Sequence, residues 1–541
     1  MGELCNFVLL PVAPFWLRAQ GSGLFLGPMD IFPLPETTLR WLDSWGPEVS
    51  AQLGKALAKN GLPTLRMPRK LLVGTDCSGL EAPIYALRGL GLKHTHLWSS
   101  EPWPAARRVI ETNSMPQHVL MHSVLDKEPV PYVNLYISGF SCKPFSMLHH
   151  KTKLLEEPEA KIFFGVVDRI STVLPACFVL ENVTGIVRVK EEVMNKLQGL
   201  GYIVVPLLMT PVHIGIPVSR PRIYFLGVRR DVARAGEEEL HVLAKHTWES
   251  MRKESFPKLA DILLPPDHKL VGDSVATCKS RPSDFGPRAA GSMVRQSCKW
   301  KKLHSEFKKQ IPAHTSWQLD VVPSQADYIG LNLPRERDAW NMLCARYPSC
   351  IDLAADLSQN IHRNSVRTDG TLPTLTPGGA VALKSAGRTI LPIEKLLLHG
   401  LPIHTMNLPE DLSSSDWSKL GGNTMSVQVV ACATVLAMAM VDWSLPACYA
   451  QPVAPTCHPA GASAGQKACQ HPCGNRTCKD DASSFDCKLR KFAARFELPG
   501  VATKGKRRGQ THGKRQHVRK SIAKAGHDTS TLSLLARRWV Q

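Results

Sequence analysis

VNLYISGFSCKPFS, residues 133–146, runs from an apolar stretch into a loop that sets a cysteine between a glycine and a proline. The apolar part reads as a short strand with both faces buried, which is how strands of parallel sheets read. The chain on either side repeats the pattern. Upstream, LLVGTDCSG reads as strand then loop, and APIYALRGLG as a helix closed by Gly89 and Gly91. THLWSSE follows as a second strand and AARRVIETN as a second helix. Downstream come the helix IFFGVVDRISTVL, the strand CFVLENV, the helix VMNKLQGLG and the strands YIVVPLLM and RIYFLGVRR. Strands alternating with helices predict an α/β fold, a mostly parallel sheet with helices on both faces. Ligands in such sheets sit beyond the carboxyl ends of the strands. DCSG, SSE, GFSC and LENV each fall directly after a strand.

The 541-residue length allows two or three domains, and 43% hydrophobic with 21% charged residues is a soluble globular composition. A net charge of +20 favours a polyanionic partner such as nucleic acid. No run reaches the ~18 apolar residues of a membrane span, so no membrane association is expected. The apolar start follows Glu3 with no basic residue before it, which argues against a secretory signal. Fifteen cysteines without framework spacing read as reduced thiols in an intracellular compartment.

Residues 1–68 are expected to form an N-terminal extension with one helix over TTLRWLDSWGPEVSAQLGKALAKN. The α/β rhythm occupies 69–231. It breaks over 232–365, an irregular stretch with basic and aromatic pieces such as VRQSCKWKKLHSEFKK, read as a smaller inserted domain. Order returns over 366–445, including GGNTMSVQVVACATVLAMAMV, read as one long helix. Residues 446–541 are Cys-rich, then basic, and are expected to be disordered when free.

Several strand-end residues carry chemistry. The first loop, with Asp76, Cys77, Ser78, Gly79 and Leu80, offers backbone amides near a helix start, a pattern it shares with ordinary turns. Glu101 closes the second strand, where an acid can accept from two ribose hydroxyls of an adenosine-type cofactor. Trp103 reads equally as a platform for adenine or as a core aromatic. A single cysteine reads most often as a buried structural thiol, but Cys142 stands on a Gly- and Pro-flanked loop above the sheet, where a lowered thiolate pKa is expected, and is a candidate nucleophile. Glu181 ends a hydrophobic strand, where partial burial raises a carboxyl pKa toward proton donation. Arg220 and Arg222, two apart on an extended segment, share a face and suit phosphate or carbonyl oxygens.

The ordered set DCSG, SSE, GFSCKPFS, LENVTGI, GIPVSRPRIYF and GGNTMSV resembles the C5-cytosine-specific DNA methyltransferase family over roughly residues 70–442. The resemblance implies a Rossmann-like methyltransferase fold that binds S-adenosyl-L-methionine and acts on double-stranded DNA, flipping the target base. It implies that Cys142 adds to C6 of the cytosine, Glu181 engages N3, Arg222 holds the base oxygen and Arg220 supports the loop. Asn423 would close the cofactor pocket, and the 232–365 insert would be the target-recognition domain. The chain departs from the family at Cys77, Glu81 and Ala82 in the first loop, at Pro102 before Trp103, at Ser123, at Ser141 and Lys143 around the cysteine, and at Val218.

The tail holds Cys457, Cys469, Cys473, Cys478 and Cys487 with His458 and His471, but no CxxC pair, so reduced thiols are expected there and no metal. KGKRRGQTHGKRQHVRK reads as a nuclear localisation signal, a DNA-binding arm or a solvated tail, and a nuclear, monomeric protein is expected. Two rival readings stand: the same chemistry on transfer RNA, and a catalytically silent DNA-binding regulator on the same fold.

Overall fold

The computed structural model describes residues 34–59, 71–146, 153–280, 300–311, 331, 333–363 and 365–450. Residues 451–541 of the Cys-rich and basic tail lie outside them, but 446–450, expected to belong to the disordered tail, are ordered: Cys448 is buried in the main core and its carbonyl accepts from Asn134 Nδ2 at 2.5 Å.

Seven strands build the main sheet: β1 (Leu71–Asp76), β2 (His94–Ser100), β3 (Val119–Met121), β4 (Leu135–Ser138), β5 (Cys177–Val183), β6 (Tyr202–Met209) and β7 (Arg222–Arg229). Their order is β3-β2-β1-β4-β5-β7-β6, and β7 runs antiparallel to both its neighbours while β1 to β5 pair in parallel. The α/β expectation therefore holds. β3 is an addition, a three-residue edge strand too short to carry a periodic signal. All four residues of β4 are buried, as its unbroken apolar run demands.

Connecting helices are α2 (Ala82–Gly89), α3 (Pro104–Asn113), α4 (Lys161–Val173) and α5 (Lys190–Gln198). Two glycines admit large rings to the sheet: a Cβ on Gly74 would meet the Trp98 ring at 2.2 Å, and one on Gly227 the Phe178 ring at 2.1 Å.

Sequence boundaries shift in three places. Helix α1 (Glu36–Lys59) buries Leu42, Val49, Leu53 and Leu57 in the same core as β1 and α2, so it is an integral part of the fold. Helix α6 (Glu237–Ser250), in the stretch expected to be inserted, also joins that core through Leu240, Leu243 and Trp248. Helix α7 (Lys269–Ser280) follows it. A second, smaller core gathers Phe307, Trp340 and Leu343 with Leu353, Ala355 and Ala382. It is built from α8 (Pro334–Arg346) and a small sheet of β8 (Ala354–Asp356), β9 (Val366–Arg367), β10 (Val381–Leu383) and β11 (Arg388–Thr389). That sheet crosses the boundary expected at 365, because short strands of two or three residues leave no periodicity to read.

The chain then returns through α9 (Pro392–Leu398), α10 (Ser414–Asn423) and α11 (Val427–Ala439). The one long helix expected here is two, broken at Thr424–Ser426, where extended backbone ends α10 and starts α11. The segment 414–439 is apolar and long enough by composition to cross a membrane, and 94% of its most apolar window is buried inside the protein. All thirteen residues of α11 are buried, and a helix apolar all round is a core helix.

Candidate functional site

Parallel register brings the strand ends to one edge. Asp76 pairs with Ser138 across β1 and β4, and Ser138 with Leu180 across β4 and β5, so the DCSG, GFSC and ENV loops are neighbours. Because β7 is antiparallel, its first residue, Arg222, lies opposite Val183 at that same edge.

Cys142 stands at the exposed corner of its loop. Its carbonyl accepts from Phe145 N at 3.0 Å and Ser146 N at 2.9 Å, closing the turn over Pro144. Buried Phe140 and Phe145 anchor the loop on either side, edge to face with centroids 6.0 Å apart. Asn182 Nδ2 donates to Phe140 O at 3.0 Å, and Arg188 donates to Phe145 O at 2.9 Å. The expected lowering of the thiol pKa is corrected: surrounding protein desolvates the sulfur and raises it. Arg222 opposes that shift, Glu181 adds to it and Arg220 opposes it.

Glu181 meets Arg222 directly, with Oε1 2.9 Å from Nε. Its other oxygen would lie 3.6 Å from a Cβ on Gly139, and Met425 touches the same point at 3.4 Å. Cysteine loop, ENV carboxylate, Arg222 and the α10–α11 break thus converge. Arg220 reaches the same break, but from the buried side. It is buried, donating to Leu375 O at 2.8 Å and Thr424 O at 3.0 Å, and burial pushes its pKa down to about 9. Its partners are carbonyl oxygens, but the protein's own.

In the first loop the side chains turn inward and leave the backbone outward. Asp76 is fully buried, accepting from Ser100 Oγ at 2.5 Å, Tyr136 OH at 2.9 Å and Arg169 Nε at 3.3 Å; burial lifts its pKa to about 6. The Cys77 thiol is pushed up, first by burial, then by Asp76 and Glu101. Ser78 Oγ bonds Ser99 Oγ at 2.7 Å and Thr75 Oγ1 at 3.0 Å, and Leu80 is in the core. Asp76, Ser78 and Leu80 can therefore serve a cofactor only through the backbone they shape, while Cys77 stays partly exposed. Glu81, at φ 60°, tucks its carboxylate beneath the loop against the hydroxyls of Thr75 and Ser99, with His96 Nε2 at 3.8 Å.

Glu101 accepts from Gly79 N at 2.8 Å and Trp103 N at 3.0 Å, and burial raises its pKa. Each carboxylate oxygen keeps a second acceptor site, so two hydroxyls can still be received. Trp103 is half-buried against the main core and precedes α3. Gly79 has φ 57°, and a Cβ there would find only Asn423 O, at 4.0 Å. That opening between the first loop and the end of α10, with a paired-acceptor acid beside it, fits an adenosine-type cofactor.

Sequence reasoning missed Asn182, Arg188, Met425 and Arg169. Asn182 and Met425 sat inside the quoted motifs, directly beside Glu181 and near Asn423. Arg188 and Arg169 carried no local signal, since their partners lie 43 and 93 residues away. Ser123, where an acid is usual, is followed by Asp126, whose Oδ2 accepts from His122 N and Ser123 N at 2.9 Å each. Among the described residues no group of three His, Cys, Asp or Glu is arranged to hold a metal ion.

A family model described as C-5 cytosine-specific DNA methylase matches residues 77–433. Type II methyltransferase M.NgoBI of Neisseria gonorrhoeae is 30% identical over 138 residues, 25% of this chain and 43% of that protein. DNA (cytosine-5-)-methyltransferase DMT5 of Cryptococcus neoformans var. grubii is 23% identical over 421 residues, 68% of this chain and 17% of that protein. The chain thus spans less than half the length of either relative. The structure of the S. pombe Dnmt2 methyltransferase aligns with 68% of this chain and 98% of its own at 14% identity, with a TM-score of 0.41.

Proposed function

The chain belongs to the C-5 cytosine-specific DNA methylase family, and from that premise we propose that it methylates cytosine C5 in double-stranded DNA through a covalent Cys142 adduct. The observation that supports the proposal is the meeting of Cys142's loop, Glu181 and Arg222 at one sheet edge.

Cytosine C5 is a poor nucleophile until C6 carries a bond, so a thiolate at C6 divides one hard step into two easier ones. Cys142, at an exposed corner, supplies that thiolate. Glu181 holds a proton at N3, which lets the ring accept the electron pair, and Arg222 holds the base oxygen. Gly79, Glu101, Trp103 and Asn423 would hold S-adenosylmethionine, with the backbone of residues 76–80 shaping that side. When bound, S-adenosylmethionine supplies an electrophilic methyl group. Loss of the C5 proton and β-elimination return Cys142 to its free form. The base must leave the duplex to reach this edge, at a cost of a few kcal/mol of unstacking. The chain's +20 charge favours the approach of that polyanion.

Incubation with S-adenosylmethionine and a duplex carrying 5-fluorocytosine tests this, since fluorine at C5 blocks the elimination. A covalent complex retained by the wild type and lost in Cys142→Ala supports the enzyme. An adduct on transfer RNA alone transfers the reading to RNA. No adduct on either, with duplex binding intact, leaves a silent DNA-binding regulator. The nuclear location expected from the basic tail is part of this proposal and is read by imaging the tagged full chain with and without residues 504–520.

A further inference from the structure

Lys395, in the middle of α9, is 1% exposed. Its neighbours Leu396, Leu397 and Leu398 fill the same core, and an apolar side chain would occupy that volume at lower cost than an ammonium. No carboxylate lies within ion-pair distance of it among the described residues. Its three donors go to uncharged oxygens: Thr376 O at 3.3 Å, Gly379 O at 2.9 Å and Ser418 Oγ at 2.8 Å. An ammonium has three donors, and all three are used.

The oxygens it grips belong to one loop and one helix. Residues 374–380 leave the Arg220 segment, where Leu372 bridges to Val218 and Thr374 Oγ1 donates to Ser219 O at 2.7 Å. The loop is then held carbonyl by carbonyl: Leu375 by Arg220, Thr376 by Lys395, Pro377 by Ser418 at 3.2 Å, and Gly379 by Lys395. Ser418 lies on α10, the helix that ends at Asn423 beside Gly79. On the far side Asp356 of the small sheet accepts from Thr376 Oγ1 at 3.1 Å and Ala380 N at 3.2 Å. The small sheet, the arginine segment and the cofactor-side helix therefore meet on this loop.

We propose that Lys395 is a positioning residue, a three-point clamp that ties the 374–380 loop to α10 and so sets the end of α10 against the cofactor loop. Burial lowers the Lys395 pKa to about 8, and Asp356 opposes the shift. The other titratable group acting with it is His399 at the end of α9, which burial, Arg220, Arg222 and Lys395 itself hold well below its ordinary range, hence neutral at pH 7. Any opening of the loop that returns Lys395 to water restores its ordinary affinity for a proton. Opening then takes up a proton between about pH 8 and 10.5, so raising the pH in that window disfavours it.

Hydrogen exchange at the Gly379 and Ala380 amides of the full chain, normalised to the intrinsic rate at each pH, reads this directly. In the wild type, normalised exchange is expected to fall about tenfold from pH 7 to pH 9, the size set by the shift from 10.5 to about 8. In Lys395→Met, exchange at pH 7 is faster and the pH dependence is gone, while β1 amides keep their protection. Equal protection in variant and wild type at both pH values, or a pH-independent wild type, overturns the clamp. If the variant does not fold, the wild-type pH dependence decides alone. Only the link to cofactor rests on the methyltransferase reading. Calorimetric titration with S-adenosylmethionine is expected to show about tenfold weaker binding by Lys395→Met, the worth of a charged hydrogen bond; unchanged affinity overturns the positioning role. A wild type that binds no cofactor defeats the methyltransferase reading and leaves the exchange result to judge the clamp.

Discussion

The Cys142 thiol sits at the corner of its loop with Arg222 and Glu181 acting on it in opposite senses. Desolvation by the surrounding protein outweighs both and raises the thiol pKa, so the thiolate is harder to form than in a free cysteine. Its alkylation by iodoacetamide, followed by peptide mapping, is therefore expected to be slower at neutral pH than that of a free cysteine and to speed up as the pH rises. At pH 8, Arg222→Leu removes the strongest lowering charge and slows the reaction, whereas Glu181→Gln removes a raising charge and speeds it, each by about threefold. Opposite signs from two members of one ion pair would not arise from general loosening. The sequence placed Cys142, Glu181 and Arg222 correctly at one edge because each follows or opens a strand. It misjudged the thiol, since a Gly- and Pro-flanked loop shows access but not the dielectric around the sulfur. Arg220 and Arg222 looked like equivalents two residues apart, and only tertiary contacts to Leu375 and Thr424 separate them.

Helix α10 shows how packing overrides local preference. Gly422 precedes its last residue, and a Cβ there would lie 2.1 Å from Pro377 N, backbone against backbone. Alanine is the better helix former by about 1 kcal/mol. Gly422→Ala is nonetheless expected to destabilise the protein by about 1–3 kcal/mol through overpacking. Gly54 in α1 has nothing within 4 Å of its Cβ position, so Gly54→Ala should follow propensity and raise stability by up to ~1 kcal/mol. Thermal unfolding of the two variants checks the reversal of sign. Apart from the three-residue β3, the strands and helices of residues 71–229 were legible because each spans several residues of clear apolar pattern. The α10–α11 break was not, because the apolar and small residues of GGNTMSVQVV continue through it without a proline or a charge.

Across the whole molecule, one core joins segments from both ends of the described chain. Leu42, Val49, Leu53 and Leu57 of α1 pack with β1, α2, α6 and α11. Fully burying such side chains contributes about 1.5–3 kcal/mol each, against a net stability of about 5–15 kcal/mol for a folded domain. Leu53→Ala is expected to cost about 2–5 kcal/mol, measurable as a lower melting temperature of the full chain. Unchanged melting would mean α1 is not part of the cooperative unit. The placement of α11 has a temporal side. The sheet's last strand, β7, leaves the ribosome some two hundred residues before the helix that covers it. At ~5–20 residues per second that is a wait of about 10–40 s with an apolar sheet face bare. For that interval the nascent polypeptide is a natural client for chaperones, and a stall in translation between β7 and α11 would strand an adhesive intermediate.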